Sequence, residues 1–337
     1  MVRSFLLPDT VQMTTAPLSR GVALPIAEHR LVARVARLYY ESGLTQQQIG
    51  DFLGLSRMKV NRLISLASKA GIVQIQIIGP DEPHAALLHK LQSEFRLRAA
   101  RIVSDPLPEE TLRGVLAAAA ADWLAEQLRD DLVIGLGLGR TVALIPQTFS
   151  VASPVDCRFV TLEGVGVSPN AGFAAYDVTS RLAEAAGGRA GIISAPTFVS
   201  TASIRNALIA EPSVSVALEI ARNAALMIQS VGTVTTDGLL FRHGTLTASD
   251  LTRLQKAGAV GDALGHFFDS DGDRIPWPTD ELHVGLTLED LKECPTSALV
   301  AGGEDKVLAI RGAIRGQFVN ALITDAYTAE RLLDLGP

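Results

Sequence analysis

Three groups of residues in this chain have types and spacings suited to chemistry. The first is Gly135-Leu136-Gly137-Leu138-Gly139-Arg140-Thr141, which follows the apolar run Leu132-Val133-Ile134. That run reads as a strand and a helix is expected from Thr141, so the glycines occupy a strand-to-helix turn. Glycines there let a backbone approach a ligand, and N–H groups at a helix start attract an anion. Arg140 adds a charge and Thr141 a hydroxyl. The third glycine comes one residue too early for the dinucleotide fingerprint, and the Gly-Lys-Ser/Thr of a P-loop is missing, so no nucleotide cofactor is expected. A bare turn without a ligand is the alternative reading.

The second group centres on Lys306, within Gly302-Gly303-Glu304-Asp305-Lys306, at the start of a helix after an apolar strand at 297–301. Open α/β sheets bind ligands at such strand ends; the alternative is a solvated lysine. The third is the stretch from Thr45 to Arg62, laid out as a helix-turn-helix. Thr45 can cap a first helix whose buried face is Ile49, Phe52 and Leu53. Gly54 supplies the turn, Leu55 plugs the gap, and Ser56 caps a second helix with Val60, Leu63 and Ile64 inward. Thr45, Gln46, Ser56, Arg57, Lys59, Asn61 and Arg62 are the candidate DNA contacts. In such motifs the second helix enters the major groove, where Arg takes guanine bidentately and Asn takes adenine. An amphipathic hairpin with solvated charges is the competing reading.

Other polar clusters carry less. Asp269-Ser270-Asp271-Gly272-Asp273 has its glycine two places early for a calcium loop and reads as a surface turn. Six histidines show no zincin spacing, two cysteines form no CxxC, and no Gly-x-Ser-x-Gly surrounds Ser194 or Ser230, so neither a metal nor a catalytic residue is expected.

These groups need elements to position them. The chain has 337 residues, enough for two or more domains. Residues 1–27 mix Ser, Thr, Pro and Gly and are expected to be disordered. Residues 28–78 form the DNA-binding domain: a helix over 28–42 with Leu31, Val35, Leu38 and Tyr39 on one face, the two motif helices, and an alternating strand at 72–78. Gly79-Pro80-Asp81-Glu82-Pro83 is the linker. From 84 to 337, apolar strands (99–103, 158–162, 190–193, 225–228, 297–301, 319–323) alternate with helical stretches, which argues for a doubly wound α/β effector domain. A core poor in aromatics (5%) and rich in Ala, Val, Ile and Leu suits helices on a buried parallel sheet.

Charge agrees with this division. Residues 28–72 hold seven Arg/Lys against three acids, a net of +4 on a chain of −6. A basic module on an acidic body fits DNA contact confined to one end. No apolar run reaches a membrane span and Pro8-Asp9 interrupts Phe5-Leu6-Leu7, so a cytoplasmic location without membrane association is expected.

With these motifs in view, the chain resembles the SorC family of sugar-binding, DeoR-like transcriptional regulators from residue 28 onward. The resemblance rests on Leu38 to Gly50, on Ser56 to Leu63, on Ala70 to Ile75 and on the glycine loop, where Leu138 replaces a common Trp. It rests further on Gly258 to Asp269, Ala301 to Ala313 and Ile323 to Ala329. It implies an effector domain akin to sugar-phosphate isomerases and deaminases, turned to sensing, in a regulator of a carbohydrate or polyol catabolic operon. By resemblance, Gly137, Gly139, Arg140 and Thr141 would cradle a phosphate or terminal hydroxyl, Lys306 would contact the same end, and Asp262 would accept from hydroxyls. Gln229, where the family often has glycine, would alter those hydroxyl contacts. Paired half-sites imply a dimer, and the family a tetramer. The rival expectation is a sugar-phosphate isomerase or deaminase, which the lack of an acid/base pair near the glycine loop disfavours.

Overall fold

The computed structural model describes residues 26–73, 84–104, 109–165 and 175–337. The extension through residue 25, the strand expected beyond Val73 and the linker at 79–83 lie outside them. The chain divides into two compact units, Met1–Glu82 and Pro83–Pro337.

The first unit contains α1 (Ile26–Tyr40), α2 (Gln46–Leu53) and α3 (Arg57–Lys69). The Thr45 side chain accepts from the Gln48 N–H while Gln48 reaches back to the Thr45 N–H, a capping box that satisfies two helix-start donors. Gly54 adopts φ 66°, the left-handed turn that favours glycine, and the Ser56 hydroxyl accepts from the Lys59 N–H. Val32, Val35 and Ala36 of α1 meet Ile49 of α2 and Val60, Leu63, Ile64 and Ala67 of α3 in one small core. Leu55 packs against that core.

Phe52 departs from expectation: it is 65% exposed. The buried face of α2 runs through Ile49, Gly50 and Leu53, and Phe52 lies about 100° around the helix from Leu53. Its ring instead carries the Arg34 guanidinium, 5.9 Å from the centroid.

The second unit runs α4 (Ala85–Phe95), β1 (Ala99–Val103), α5 (Glu109–Gln127), β2 (Val133–Leu136), β3 (Arg158–Thr161), α6 (Ala175–Ala186) and β4 (Arg189–Gly191). It continues with α7 (Ala202–Ala210), α8 (Pro212–Arg222), β5 (Leu226–Gln229), α9 (Leu239–Arg242), α10 (Ala248–Lys256) and the short strands β6 (Gly261–Ala263), β7 (His266–Phe268) and β8 (Arg274–Ile275). It ends with α11 (Leu288–Glu293), β9 (Thr296–Val300), α12 (Val307–Arg315), β10 (Ala321–Asp325) and α13 (Ala326–Leu335).

Seven strands form one sheet in the order β1-β10-β9-β5-β2-β3-β4, and every pairing is parallel. Apolar cores cover both faces. One is built with Leu116, Leu124, Ile145 and Leu182, the other with Leu91, Leu218, Ile310 and Leu332. This is why the central strands read as unbroken apolar runs rather than alternating ones. β6, β7 and β8 make a separate antiparallel sheet, whose two- and three-residue strands leave no periodic signature.

Candidate functional sites

A cavity of about 920 Å³ opens at the carboxyl ends of the parallel strands, the usual ligand position for such sheets. Leu138, Gly139 and Arg140 after β2, Glu163 and Val165 after β3, and Ser194 to Phe198 after β4 form its walls. Ser230 to Thr233 after β5, Lys306 after β9, Asp262 on β6, and Leu239, Leu240 and His243 at α9 also line it. Two cationic groups, Arg140 and Lys306, therefore share a cavity with two carboxylates, Glu163 and Asp262.

Each carboxylate is held by backbone. Glu163 is buried, and its Oε1 accepts from the Leu138 N–H at 3.0 Å, tying the glycine loop to the end of β3. Its Oε2 stands 3.6 Å from His283 Nε2. Burial pulls the His283 imidazole below its ordinary value, against the opposing pull of Glu163. The His283 ring meets the His266 ring edge-on at 4.8 Å, and His266 Nδ1 is 2.7 Å from Asp280 Oδ1. A buried row of polar groups thus runs beneath the cavity from Asp280 to the glycine loop.

Asp262 pairs through its backbone with Gly232. A Cβ on Gly232 would lie 2.0 Å from Asp262 Oδ1, so only glycine lets this carboxyl lie against β5's exit. Burial first, and the neighbouring Glu163 carboxylate second, push Asp262 up to about 7; Gly265, His266 and Lys306 partly oppose them. Such a carboxyl switches between hydrogen-bond donor and acceptor near neutrality. The helix start that carries Lys306 is pinned by the Gly303 N–H, which donates to Asp325 Oδ2 at 3.1 Å and Thr328 Oγ1 at 2.8 Å.

The structure brings Gly139, Arg140, Asp262 and Lys306 together on the cavity wall and leaves three other expected residues off it. Thr141 is buried beneath the loop. Gly137 packs where a Cβ would meet Leu264 Cδ2 at 2.9 Å and Gln229 Cβ at 3.1 Å. Gln229 is fully buried, with its Nε2 donating to Ser297 Oγ at 3.1 Å and to the Phe318 carbonyl at 3.4 Å. The expectation that Gln229 meets ligand hydroxyls is therefore corrected, because its amide turns into the core beside β9.

The helix expected from Thr141 is also corrected: Val142–Gln147 forms a short 3₁₀ turn containing Pro146, since a proline ring disfavours α geometry in the residue before it. Two loop amides are already used. The Gly137 N–H donates to Ile228 O and the Leu138 N–H to Glu163. Asp269-Asp273 is a hairpin turn in which Asp269 Oδ1 accepts from the Asp271 and Asp273 N–H groups.

Glu163 is the cavity residue that sequence reasoning missed. An acid directly after the apolar run Phe159-Val160-Thr161-Leu162 was the available signal.

In the first unit, Arg57, Lys59, Asn61 and Arg62 are all exposed on α3, beside Ser56 at its start. Thr45 and Gln46 open α2, and Gln46 Nε2 donates to Asn61 Oδ1 at 3.2 Å. Met58 is 84% exposed in the first turn of α3.

Comparison with known proteins places this geometry. Residues 82–334 match the sugar-binding domain family Sugar-bind, and residues 33–70 match region 4 of sigma-70. The chain is 34% identical over 327 residues to the transcriptional regulator LsrR of Enterobacter sp. (strain 638), covering 94% of this chain and 97% of that one. It is 30% identical over 308 residues to the deoxyribonucleoside regulator of Bacillus subtilis (strain 168), covering 91% and 98%. The full-length sorbitol operon regulator SorC of Klebsiella pneumoniae shares the fold, with a TM-score of 0.71 at 24% identity over 90% of this chain and 98% of that one. Glu163 and Asp262 supply beside the glycine loop the pair of carboxyl groups that sequence reasoning found missing, so the case against the isomerase alternative rests on the LsrR and deoxyribonucleoside relatives, which are regulators. A cavity at the strand ends of the second unit, a capped helix-turn-helix in the first and near full-length similarity to such proteins converge on one assignment: the chain belongs to the SorC family of sugar-binding transcriptional regulators.

Proposed function

We propose that this regulator binds operator DNA through α2 and α3 as a homodimer or homotetramer and is gated by a small carbohydrate in the cavity. The carbohydrate class is a sugar phosphate, a sugar or a polyol, and the regulated genes are those for its catabolism. The observation that carries the reading is the meeting of Arg140 and Lys306 with Glu163 and Asp262 in one cavity. Cations suit a phosphate or other anionic end, and carboxylates suit hydroxyls. In this reading Gly139 gives close access to backbone, while Gly137, Thr141 and Gln229 support the loop from behind. Thr45, Ser56, Lys59 and Arg62 hold the phosphate backbone, and Arg57 and Asn61 face bases.

Gating follows from differential affinity: an effector that fits one arrangement of the subunits better than another shifts the population between them. A cytoplasmic location accords with operator binding, and among the described residues no helix is long and apolar enough to cross a membrane. The test is a thermal-shift screen of sugars, polyols and their phosphates on the full chain, followed by operator gel shifts with each stabilising compound. A compound that stabilises the protein and alters operator affinity is expected. Stabilisation of wild type and of Lys306→Ala by the same compound at the same concentration would move the site elsewhere.

A further inference from the structure

The hydrogen bond from Gln46 Nε2 to Asn61 Oδ1 joins the first residue of α2 to the exposed face of α3. It has no evident role in stability. Both partners face solvent, whereas the helix pair is already held by Ile49, Val60, Leu63 and Ile64. Ordering a glutamine side chain in water costs rotamer entropy that an exposed amide–amide bond barely offsets. What the bond does determine is where the Asn61 side chain sits; the Gln46 amide carries both a donor and an acceptor, so it can hold Asn61 either way round, and here its Nε2 donates to Oδ1. With Oδ1 toward Gln46, Nδ2 is turned to the opposite side, and the second lone pair of Oδ1 stays available.

We propose that Gln46 is a positioning residue that holds the Asn61 side chain in place for adenine, its Nε2 donating to one lone pair of Oδ1 while the rest of the amide reads the base, and thereby strengthens the base preference at one position of each half-site. The proposal rests on α3 being the base-reading helix. Adenine offers N7 as acceptor and the N6 amino group as donor in the major groove. An amide held as Gln46 holds it can accept from N6 with the second lone pair of Oδ1 and donate to N7 with Nδ2. The flipped amide would set its oxygen against N7 and its amino group against N6, both repulsive. A good bidentate pair discriminates against the wrong base by roughly 5- to 150-fold. Gln46 contributes the part that would otherwise go to ordering the Asn61 side chain on binding.

The test compares full-length wild type with Asn61→Ala, Gln46→Ala, Gln46→Glu and the double variant Gln46→Ala/Asn61→Ala in selections from random duplex DNA, with circular dichroism melting as the folding control. Glutamate has no proton to give Oδ1 at neutral pH and accepts from Nδ2 instead, so it favours the flipped amide. Adenine preference at one half-site position should vanish in Asn61→Ala, weaken in Gln46→Ala and fall furthest in Gln46→Glu. The double variant should match Asn61→Ala at that position. An unchanged wild-type motif with equally reduced affinity for all sequences in both Gln46 variants would overturn the proposal, making Gln46 a phosphate contact. A wild-type motif retained by Asn61→Ala would instead refute the placement of α3 on the bases.

Discussion

Exchanging Asp262 for Asn should remove a loss of stability with rising pH from the second unit between mild acid and neutrality, a contribution opposite in sign to that of the buried His283, whose lowered value makes stability rise with pH. Burial, followed by repulsion from Glu163, raises the Asp262 carboxyl from 3.8 to about 7 in the folded protein. A folded-state value above the unfolded one means that folding takes up a proton between those limits. Stability therefore falls as pH rises through the window, and the loss is complete above about 7. At 1.36 kcal/mol per unit, a raise of this size makes the wild-type domain about 3 kcal/mol more stable at pH 5 than at pH 8 from this group alone. Asn is nearly isosteric, cannot ionise, and keeps a carbonyl to accept the Gly265 N–H that reaches the carboxyl. Urea titrations at the two pH values, followed by tryptophan fluorescence, isolate the effect. Both tryptophans, Trp123 and Trp277, belong to the second unit, so the signal reports the effector domain and not the helix-turn-helix. If the Asn variant loses stability from pH 5 to pH 8 as steeply as wild type, Asp262 is already ionised at pH 5, and the argument from burial and Glu163 is wrong.

Three further outcomes follow from the same geometry. Lys306→Ala should weaken binding of an anionic effector by about 1.5–3 kcal/mol, the worth of a charge-assisted hydrogen bond, while operator affinity without effector stays at the wild-type level; isothermal titration and gel shifts check the two halves. Ser56→Ala should destabilise the first unit by about 1 kcal/mol, because the Lys59 N–H loses its acceptor, and thermal melting of wild type and variant compares them directly. Light scattering at micromolar protein should give a dimer or tetramer mass, and a monomer both with and without operator would contradict the half-site argument.

The helix-turn-helix was legible in the sequence because its signals are local. Thr45, Gly54 and Ser56 act on donors or dihedral angles within four residues of themselves, and Ile49, Val60, Leu63 and Ile64 follow helical spacing. The parallel sheet was equally legible, since strands buried on both faces must be apolar throughout and alternate with helices. Phe52 was misread because helical spacing places a residue on a face only to within one position, and tertiary packing decides which neighbour is covered. No local pattern placed the cavity: resemblance grouped Arg140, Asp262 and Lys306, and tertiary structure added Glu163 to them. Arg140, Glu163, Asp262 and Lys306 stand far apart in sequence, and the sheet order β9-β5-β2-β3 brings three of their loops to one end of four neighbouring strands while the small sheet delivers Asp262. The same long-range packing turned Gln229 toward Ser297 and gave the Leu138 N–H to Glu163. Side-chain direction at a strand end depends on what the neighbouring strands leave unpaired, and no local pattern in the chain encodes that.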